Sequence, residues 1–263
     1  MEPYLRIQDV SKTFVTGRTS YTTLAKVSLD IQRGEFVSII GHSGCGKSTL
    51  LNLIAGLSMP STGSLTFEGT PIHGPGPDRG VVFQHHALLP WLTVYQNVYE
   101  VVDAVFPQRS RDHKADETER VVKLVGLWDH RDKKPAQISG GMKQRTALAR
   151  AFAVHPKMLL LDEPFGALDA LIKPALHDAL IKLWSSDGKS ESVVLVTHDI
   201  DEAIYLSDRI VVMTNGPRAT IGEIVEVNIP RPRDKRAMVH MTEYADLKDR
   251  LLDLLTTTFA GAA

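Results

Sequence analysis

Cysteine is almost missing from this sequence of 263 residues: Cys45 stands alone. An internal disulfide is therefore excluded, and with it the small secreted scaffolds that depend on several. Long apolar runs are missing as well. No stretch approaches the roughly eighteen apolar residues a membrane-spanning helix needs. No signal peptide shows at Met1-Glu2-Pro3-Tyr4, which begins acidic and leads into a strand-like segment. The expectation is a chain soluble by itself, whose membrane role, if it has one, runs through a partner. Charge of one sign is lacking too. Lys plus Arg number 30 against 31 Asp plus Glu, so no basic excess marks a nucleic-acid surface. There is no internal repeat, no low-complexity tract, and no Asn-Lys-x-Asp element of the kind GTP switches use to read their base.

What remains is the composition of an ordinary globular protein with a sizeable core, 43% apolar and 23% charged, long enough for one large domain or two small ones. It is organised around Gly41-His42-Ser43-Gly44-Cys45-Gly46-Lys47-Ser48-Thr49. The apolar run Phe36–Ile40 precedes this stretch and Leu50–Ala55 follows it, so strand, glycine loop and helix come in the order a phosphate-binding loop requires. Glycines let successive backbone N–H groups turn inward as an anion nest, and the helix opening at Lys47-Ser48 adds the positive end of its dipole. Lys47 supplies a charge for the β- and γ-phosphates, and the Ser48 hydroxyl is placed to ligate Mg²⁺. The stretch predicts binding of a nucleoside triphosphate. A thiol inside that loop fits a reducing compartment and suggests that alkylating Cys45 blocks the nucleotide.

Alternating segments at Leu5–Val10 and Ala25–Ile31 read as half-buried strands ahead of the loop. Phe14 and Tyr21 are rival candidates for stacking on a purine, with core packing as the alternative for either. Gly80-Val81-Val82-Phe83 reads as a buried strand ending at Gln84, a polar tip that either faces a metal or water or simply caps the strand. From about His85 to His130 the chain turns helical, with runs at Val94 to Val105 and Asp116 to Val125 and an exposed charged linker expected at Gln108 to Asp116. Leu88-Leu89-Pro90-Trp91-Leu92 is an apolar knuckle, read as core packing or as a docking surface.

Ser139-Gly140-Gly141 caps a helix expected to run to about Val154, with Met142, Ala147, Leu148 and Ala151 as its buried stripe. Its start is a second anion-binding helix end, which one chain has no obvious use for unless it meets another. Met158–Leu161 is an apolar strand delivering Asp162 and Glu163 to its tip, Asp162 to hold Mg²⁺ and Glu163 to polarise an attacking water as general base. Phe165 to Asp169 reads as a loop. A late helix carries Pro174 in its first turn and lines one face with Leu176, Ala179, Leu180, Leu183 and Trp184. Val193–Val196 is a further buried strand ending at Thr197-His198-Asp199, where His198 contacts a γ-phosphate or is structural. Ile210–Met213 and Ile221 to Val227 complete the strands. Pro230 to Arg236 reads as a solvated basic loop, with lipid headgroups or a partner as the alternative, and a helix from Tyr244 to Thr258 closes the chain.

The order of these elements (phosphate loop, Gln84, Ser139-Gly140-Gly141, Asp162-Glu163, Ala167-Leu168-Asp169, His198) closely resembles the ATP-binding subunits of ABC transporters over nearly the whole chain. The resemblance implies an α/β fold: a phosphate-loop NTPase core of ABC type with a mixed sheet, an antiparallel β subdomain and an inserted helical subdomain. Its implied boundaries are 1–84 with 156–235 for the core, 85–155 for the helical part and 236–263 for a C-terminal helix. It implies ATP and Mg²⁺ as cofactors, Gln84 as the sensor of Mg²⁺ and of the membrane partner, and Asp169 and His198 as organisers of hydrolysis. Because the family's adenine-stacking aromatic follows a Val-Ser-Lys-Thr stretch, it also favours Phe14. Ile138 and Met142 depart from the usual Leu-Ser-Gly-Gly-Gln signature, and Phe14 replaces the commoner Tyr with its π-face intact.

The implied mechanism is a homodimer or heterodimer of ATPase subunits closed head to tail. Each ATP lies between one chain's phosphate loop and the other's Ser139–Gly141. The implied partners are integral membrane permease subunits and, indirectly, a periplasmic or lipid-anchored solute-binding protein, with no nucleic acid. The implied place is the cytoplasmic face of the inner membrane. Leu88–Trp91 and Val102-Asp103-Ala104-Val105-Phe106-Pro107 look most like importers of nitrate, nitrite, cyanate or bicarbonate, with taurine and alkanesulfonate importers as close relatives. The competing class is a soluble ABC ATPase without a transporter. Its repair members carry coiled-coil insertions and its translation factors tandem copies, neither of which is present, and the Leu-Pro-Trp knuckle argues against a cluster-assembly role.

Overall fold

Unbroken apolar runs favour strands buried on both faces, and alternating runs favour strands with one wet face. The computed structural model, which describes residues 2–17, 19–166, 168–185 and 191–257, contains both kinds. The chain divides into two compact units, Met1–Gly76 with Ser192–Ala263, and Pro77–Glu191. The first begins with β1 (Leu5–Thr16), β2 (Thr19–Ile31), β3 (Phe36–Ile40), α1 (Lys47–Ile54), β4 (Thr62–Phe67) and the short β5 (Thr70–Pro71). The second holds β6 (Arg79–Val82), α2 (Val94–Val105), α3 (Arg111–Leu124), α4 (Gly140–Phe152), β7 (Met158–Asp162) and α5 (Lys173–Ser185). The chain returns to the first unit with β8 (Ser192–Val196), α6 (Ile200–Leu206), β9 (Arg209–Met213), β10 (Ile221–Glu226), α7 (Lys235–Met238) and α8 (Thr242–Thr257).

In the first unit an antiparallel sheet runs β2-β1-β4-β5, and mixed strands run β10-β9-β3-β8. β3 is parallel to both β8 and β9, with Ser38 opposite Leu195 and Ile210, while β10 is antiparallel to β9. Every residue of β3 and β8 is buried. The one hydroxyl inside β3, on Ser38, is matched by the Ser207 hydroxyl, as burial of a polar group demands. β1 and β2 extend well past the alternating segments into a hairpin that pairs Phe14 with Tyr21. Those arms are mostly exposed and mix Phe14, Val15 and Tyr21 with polar residues, so no hydrophobic period announces them.

In the second unit β6 and β7 form a parallel pair, with Gly80 opposite Leu159. β6 stops at Val82, so Phe83 and Gln84 follow the strand rather than ending it. α2 spans the expected residues because its start is encoded locally. Thr93 accepts from the Gln96 amide while the Gln96 side chain accepts from the Thr93 amide, a full capping box. The expected charged linker is a different matter. Residues 111–116 are the first turns of α3, which Ser110 caps by accepting from the His113 N–H. Lys114 is buried there, its ammonium 2.7 Å from Asp103 on α2, so a residue that looks solvated is held by a distant carboxylate.

On α4, Ala147, Leu148 and Ala151 are buried as expected. Met142 is only half-buried, however, and Gln144 and Thr146 take inward positions instead. Thr146 manages this by donating back to the Met142 carbonyl at 2.8 Å. On α5, Pro174 lies in the first turn and Leu176, Ala179 and Leu180 are buried. Trp184 is half-buried, and the Leu183 side chain lies outside the described residues. α8 begins at Thr242, ahead of the expected Tyr244, and the expected end at Thr258 lies outside the described residues.

The basic run 230–236 is not a solvated loop. Arg233 donates to the carbonyls of Ile204, Tyr205, Ser207, Val227 and Ile229 at 2.7–3.3 Å, and Arg231 donates to that of Leu206. Three of these carbonyls belong to the last turn of α6, which has no further helical N–H to offer them. Burial, followed by the neighbouring Arg231 charge, lowers the Arg233 guanidinium to about 10. Arg236 on α7 points to solvent. Replacing Arg233 with Ala should cost about 2–3 kcal/mol in denaturant unfolding, because it strands buried carbonyls, whereas Arg236→Ala should stay within about 0.5 kcal/mol.

Glu117 on α3 joins His155 at 2.9 Å and Arg120 at 2.6 Å. Burial alone would raise its carboxyl. The hydrogen bonds and charges of His155 and Arg120 outweigh that and bring it down from 4.5 to about 2. A depressed folded value means stability that is fully present above about pH 4.5 and is lost as pH falls toward 2, on the order of 3 kcal/mol. Urea midpoints of wild type and Glu117→Gln, measured from pH 6 down to pH 3, should therefore converge as the acid limit is approached.

Candidate nucleotide site

The phosphate loop leaves the buried end of β3. Gly46, the N-cap of α1, has φ 99°, and no side chain caps the helix start. A Cβ on Gly46 would lie 2.8 Å from Leu24 and 2.9 Å from Thr23, so only glycine lets β2 pass this close behind the loop. Lys47 is buried and folds back over the loop, its ammonium 2.8 Å from both the Gly41 and the His42 carbonyl oxygens. The Cys45 N–H donates to the His42 carbonyl at 3.3 Å, closing the turn. Gly41 and Gly46 are half-buried, while Ser43, Gly44 and Ser48 are exposed and Thr49 is half-buried. The loop can present main-chain N–H groups, one ammonium and hydroxyls to a polyphosphate.

Cys45 corrects an expectation. Its thiol is buried, turned inward beneath Gly41 rather than toward a phosphate, and burial pushes it up, although Lys47 opposes the shift. The spacing of the loop could not show which way this side chain faces.

Phe14 and Tyr21 are directly opposite each other in the hairpin and both are about half exposed, at 46% and 51%. Directly opposed residues share one sheet face, so the two rivals form a single aromatic pair. A Cβ built on Gly216 would lie 3.7 Å from the Tyr21 hydroxyl and 3.4 Å from the Gly44 carbonyl oxygen, so this arm and the phosphate loop converge on one side of the unit. His198 follows the buried end of β8 and is exposed, next to Asp199, which caps α6 by accepting from the Glu202 N–H at 3.0 Å.

In the second unit β7 is buried throughout and ends at Asp162. Glu163 follows with φ 47°, a left-handed turn that costs a non-glycine residue about 1 kcal/mol or more and redirects the chain at the strand tip. Gln84 donates from Nε2 to the Glu163 carboxylate at 3.3 Å. Asp169 is exposed and accepts the Leu171 N–H at 2.8 Å, while its carbonyl accepts from Ile172 and Lys173 ahead of α5; Ala167 lies outside the described residues. Ser139 accepts the Met142 N–H at 3.3 Å, so Ser139-Gly140-Gly141 forms a capped helix start, with Ser139 and Gly140 exposed. A Cβ on Gly140 would meet nothing within 4 Å, which leaves open space at the tip.

Two features here had no signal in the local sequence. Asn97, buried on α2, accepts the Leu89 N–H and donates to the carbonyls of Leu89, Leu92 and Thr93, fixing the knuckle with Trp91 64% exposed. Arg150 on α4 donates to the carbonyl of Ala87, three residues past Gln84.

A glycine loop that opens a helix from a buried parallel strand defines a nucleotide-binding α/β protein of the phosphate-loop class. Within that class the chain belongs to the ABC transporter family, whose sequence pattern matches residues 24–166. It is an ATP-binding, ATP-hydrolysing subunit of that family. It is 50% identical over 259 residues to the bicarbonate transport ATP-binding protein CmpD of Synechococcus elongatus, covering 98% of this chain and 92% of that one. It is 48% identical over 257 residues to the nitrate import ATP-binding protein NrtD of the same organism, covering 98% and 93%. Among solved structures, the dimeric post-hydrolysis state of the ATP-binding cassette MJ0796, bound to ADP and Pi, superposes with a TM-score of 0.77 at 33% identity, covering 86% of this chain and all of that one.

The buried thiol gives a direct check. N-Ethylmaleimide should label Cys45 in the folded protein at least about tenfold more slowly than it labels glutathione, and promptly in urea, as followed by mass spectrometry. Labelling of the folded protein at the rate of glutathione would contradict the inward orientation.

Proposed function

We propose that the chain is one of a pair of ATPase subunits that energise import of a small inorganic anion, nitrate or nitrite first and bicarbonate beside it. The observation that carries this reading is the near full-length similarity to two importer subunits whose named solutes, nitrate and bicarbonate, are both planar, singly charged oxyanions. The apolar knuckle Leu88–Leu92, clamped by Asn97 with Trp91 outward, supports a docked membrane permease. Among the described residues no helix is long and apolar enough to cross a membrane, so attachment would be peripheral, on the cytoplasmic face, through that permease. A solute-binding protein would act at one remove.

In this reading ATP rests its base on Phe14 and its phosphates on Gly41 to Thr49, with Lys47 leaving the Gly41 and His42 carbonyls to meet them. Ser48, Gln84 and Asp162 would hold Mg²⁺. A hydroxyl, an amide oxygen and a carboxylate are the hard oxygen donors this cation takes, and Gln84 commits Nε2 to Glu163, which leaves its Oε1 as the ligand atom. When bound, Mg²⁺ would neutralise phosphate charge. Glu163 would accept the proton of the attacking water, His198 would contact the γ-phosphate, and Asp169 would orient the neighbouring elements. Ser139, Gly140 and Gly141 would serve the nucleotide of the second subunit, itself identical or a close relative. Closure is driven by the difference in ATP affinity between open and closed pairs.

Glu163→Gln should bind ATP, lose turnover by at least about a hundredfold and accumulate as a dimer on gel filtration with ATP. Monomeric elution with unchanged turnover would remove Glu163 as the base. The solute is settled elsewhere, by which anion is held by the binding protein that co-purifies with the complex.

A further inference from the structure

α8 lies outside residues 24–166, the part the family pattern matches, yet at Leu255 it reaches the phosphate loop. Its seat is well defined. Leu251 is fully buried, the Tyr244 hydroxyl donates to Asp201 at 2.6 Å, and the Lys248 ammonium lies 2.7 Å from the same carboxylate. Arg250 pairs with Glu223 on β10. Held this way, α8 brings the Leu255 carbonyl oxygen to 3.4 Å from His42 Nε2. A carbonyl oxygen only accepts, so His42 Nε2 is the donor in this contact and its proton is held on that nitrogen.

His42 is also the residue whose own carbonyl accepts from Lys47 and from the Cys45 N–H. Its main chain is therefore tied to the ammonium that must meet the phosphates, and its side chain to the C-terminal helix. We propose that α8 is a brace for the phosphate loop: by holding the His42 side chain it keeps the loop in its phosphate-accepting shape, so the C-terminal helix sets nucleotide affinity through His42 as a positioning residue. Pre-ordering a glycine-rich loop strengthens binding because less conformational freedom is lost when the anion arrives. The proposal rests on the reading that Gly41 to Thr49 binds ATP.

The test is a double-mutant cycle in the full-length protein, read as the dissociation constant of a fluorescent ATP analogue together with KM and kcat. His42→Ala should weaken binding about three- to tenfold, the worth of one hydrogen bond, and should raise KM with kcat nearly kept. His42→Gln, which retains an N–H at similar reach, should bind within about twofold of wild type. Tyr244→Phe with Lys248→Ala, which loosens α8 from Asp201 without touching the loop, should weaken binding in the His42 background and add nothing to His42→Ala. Additive losses, or a His42→Gln as weak as His42→Ala, would overturn the brace. Lys47→Ala separates the two readings. If it binds as well as wild type, the nucleotide reading falls and the brace with it. If it loses affinity while the cycle is additive, only the brace falls.

Discussion

The structure depends first on the burial of β3. Its five residues are all inaccessible, and it is hydrogen-bonded on both sides, to β8 and to β9, in the same direction. A strand so enclosed offers no edge and no face to solvent, so polar chemistry can appear only where it ends. Each large apolar side chain withdrawn from water contributes about 1.5–3 kcal/mol, so the root of the phosphate loop is anchored in a fully buried strand. β8 obeys the same rule, ending at Thr197-His198-Asp199, and in the second unit β7 ends at Asp162 and Glu163. An apolar interior that forbids function along the strand concentrates it at the tip.

How much of this was legible follows from the range of the interactions involved. Strands β3, β7 and β8 and helix α2 are encoded within a few residues, by apolar runs and by the Thr93–Gln96 capping box, and the sequence alone locates them. The phosphate loop is equally local, since its glycines, Lys47 and the helix start are neighbours in the chain. Several of the features that were not legible pair residues distant in the chain. Lys114 looks solvated until Asp103 is beside it, Arg233 until the last turn of α6 is beneath it, and the 111–116 segment has no apolar period to mark it as helix. The direction of the Cys45 thiol depends on Gly41 and Met213 behind the loop, which no spacing rule reaches.

The aromatic platform illustrates a third case, in which the sequence presents a choice that the fold dissolves. Phe14 and Tyr21 compete only while the chain is a line. Once β1 and β2 fold into a hairpin the two occupy one cross-strand position on one face, and the arm that carries them passes behind the phosphate loop where Gly46 has no side chain. The glycine is as much a constraint on β2 as on the loop: a side chain there would push Leu24 and Thr23 away and take the aromatic pair with them.

Two helix starts in this chain suit an anion, and their differences say what each requires. Gly46 is the N-cap of α1 with no side-chain cap, and Lys47 is folded onto its own loop, so its donors and its charge are local. α4 begins at Ser139, whose hydroxyl serves Met142, and its exposed tip has no cation comparable to Lys47 among Ser139, Gly140 and Gly141. Such a tip attracts an anion weakly alone, because one helix dipole in water is worth only about 0.3–1 kcal/mol. In the proposed pair, the positive ends of two helices face each other across the nucleotide. Without a polyanion they repel, and with ATP between them both are neutralised in a site that excludes water and strengthens every charge interaction. In that proposed pair the dependence of closure on ATP would need no separate sensor: the ligand itself would supply the attraction between the two faces, and cleaving its terminal phosphate would remove part of it.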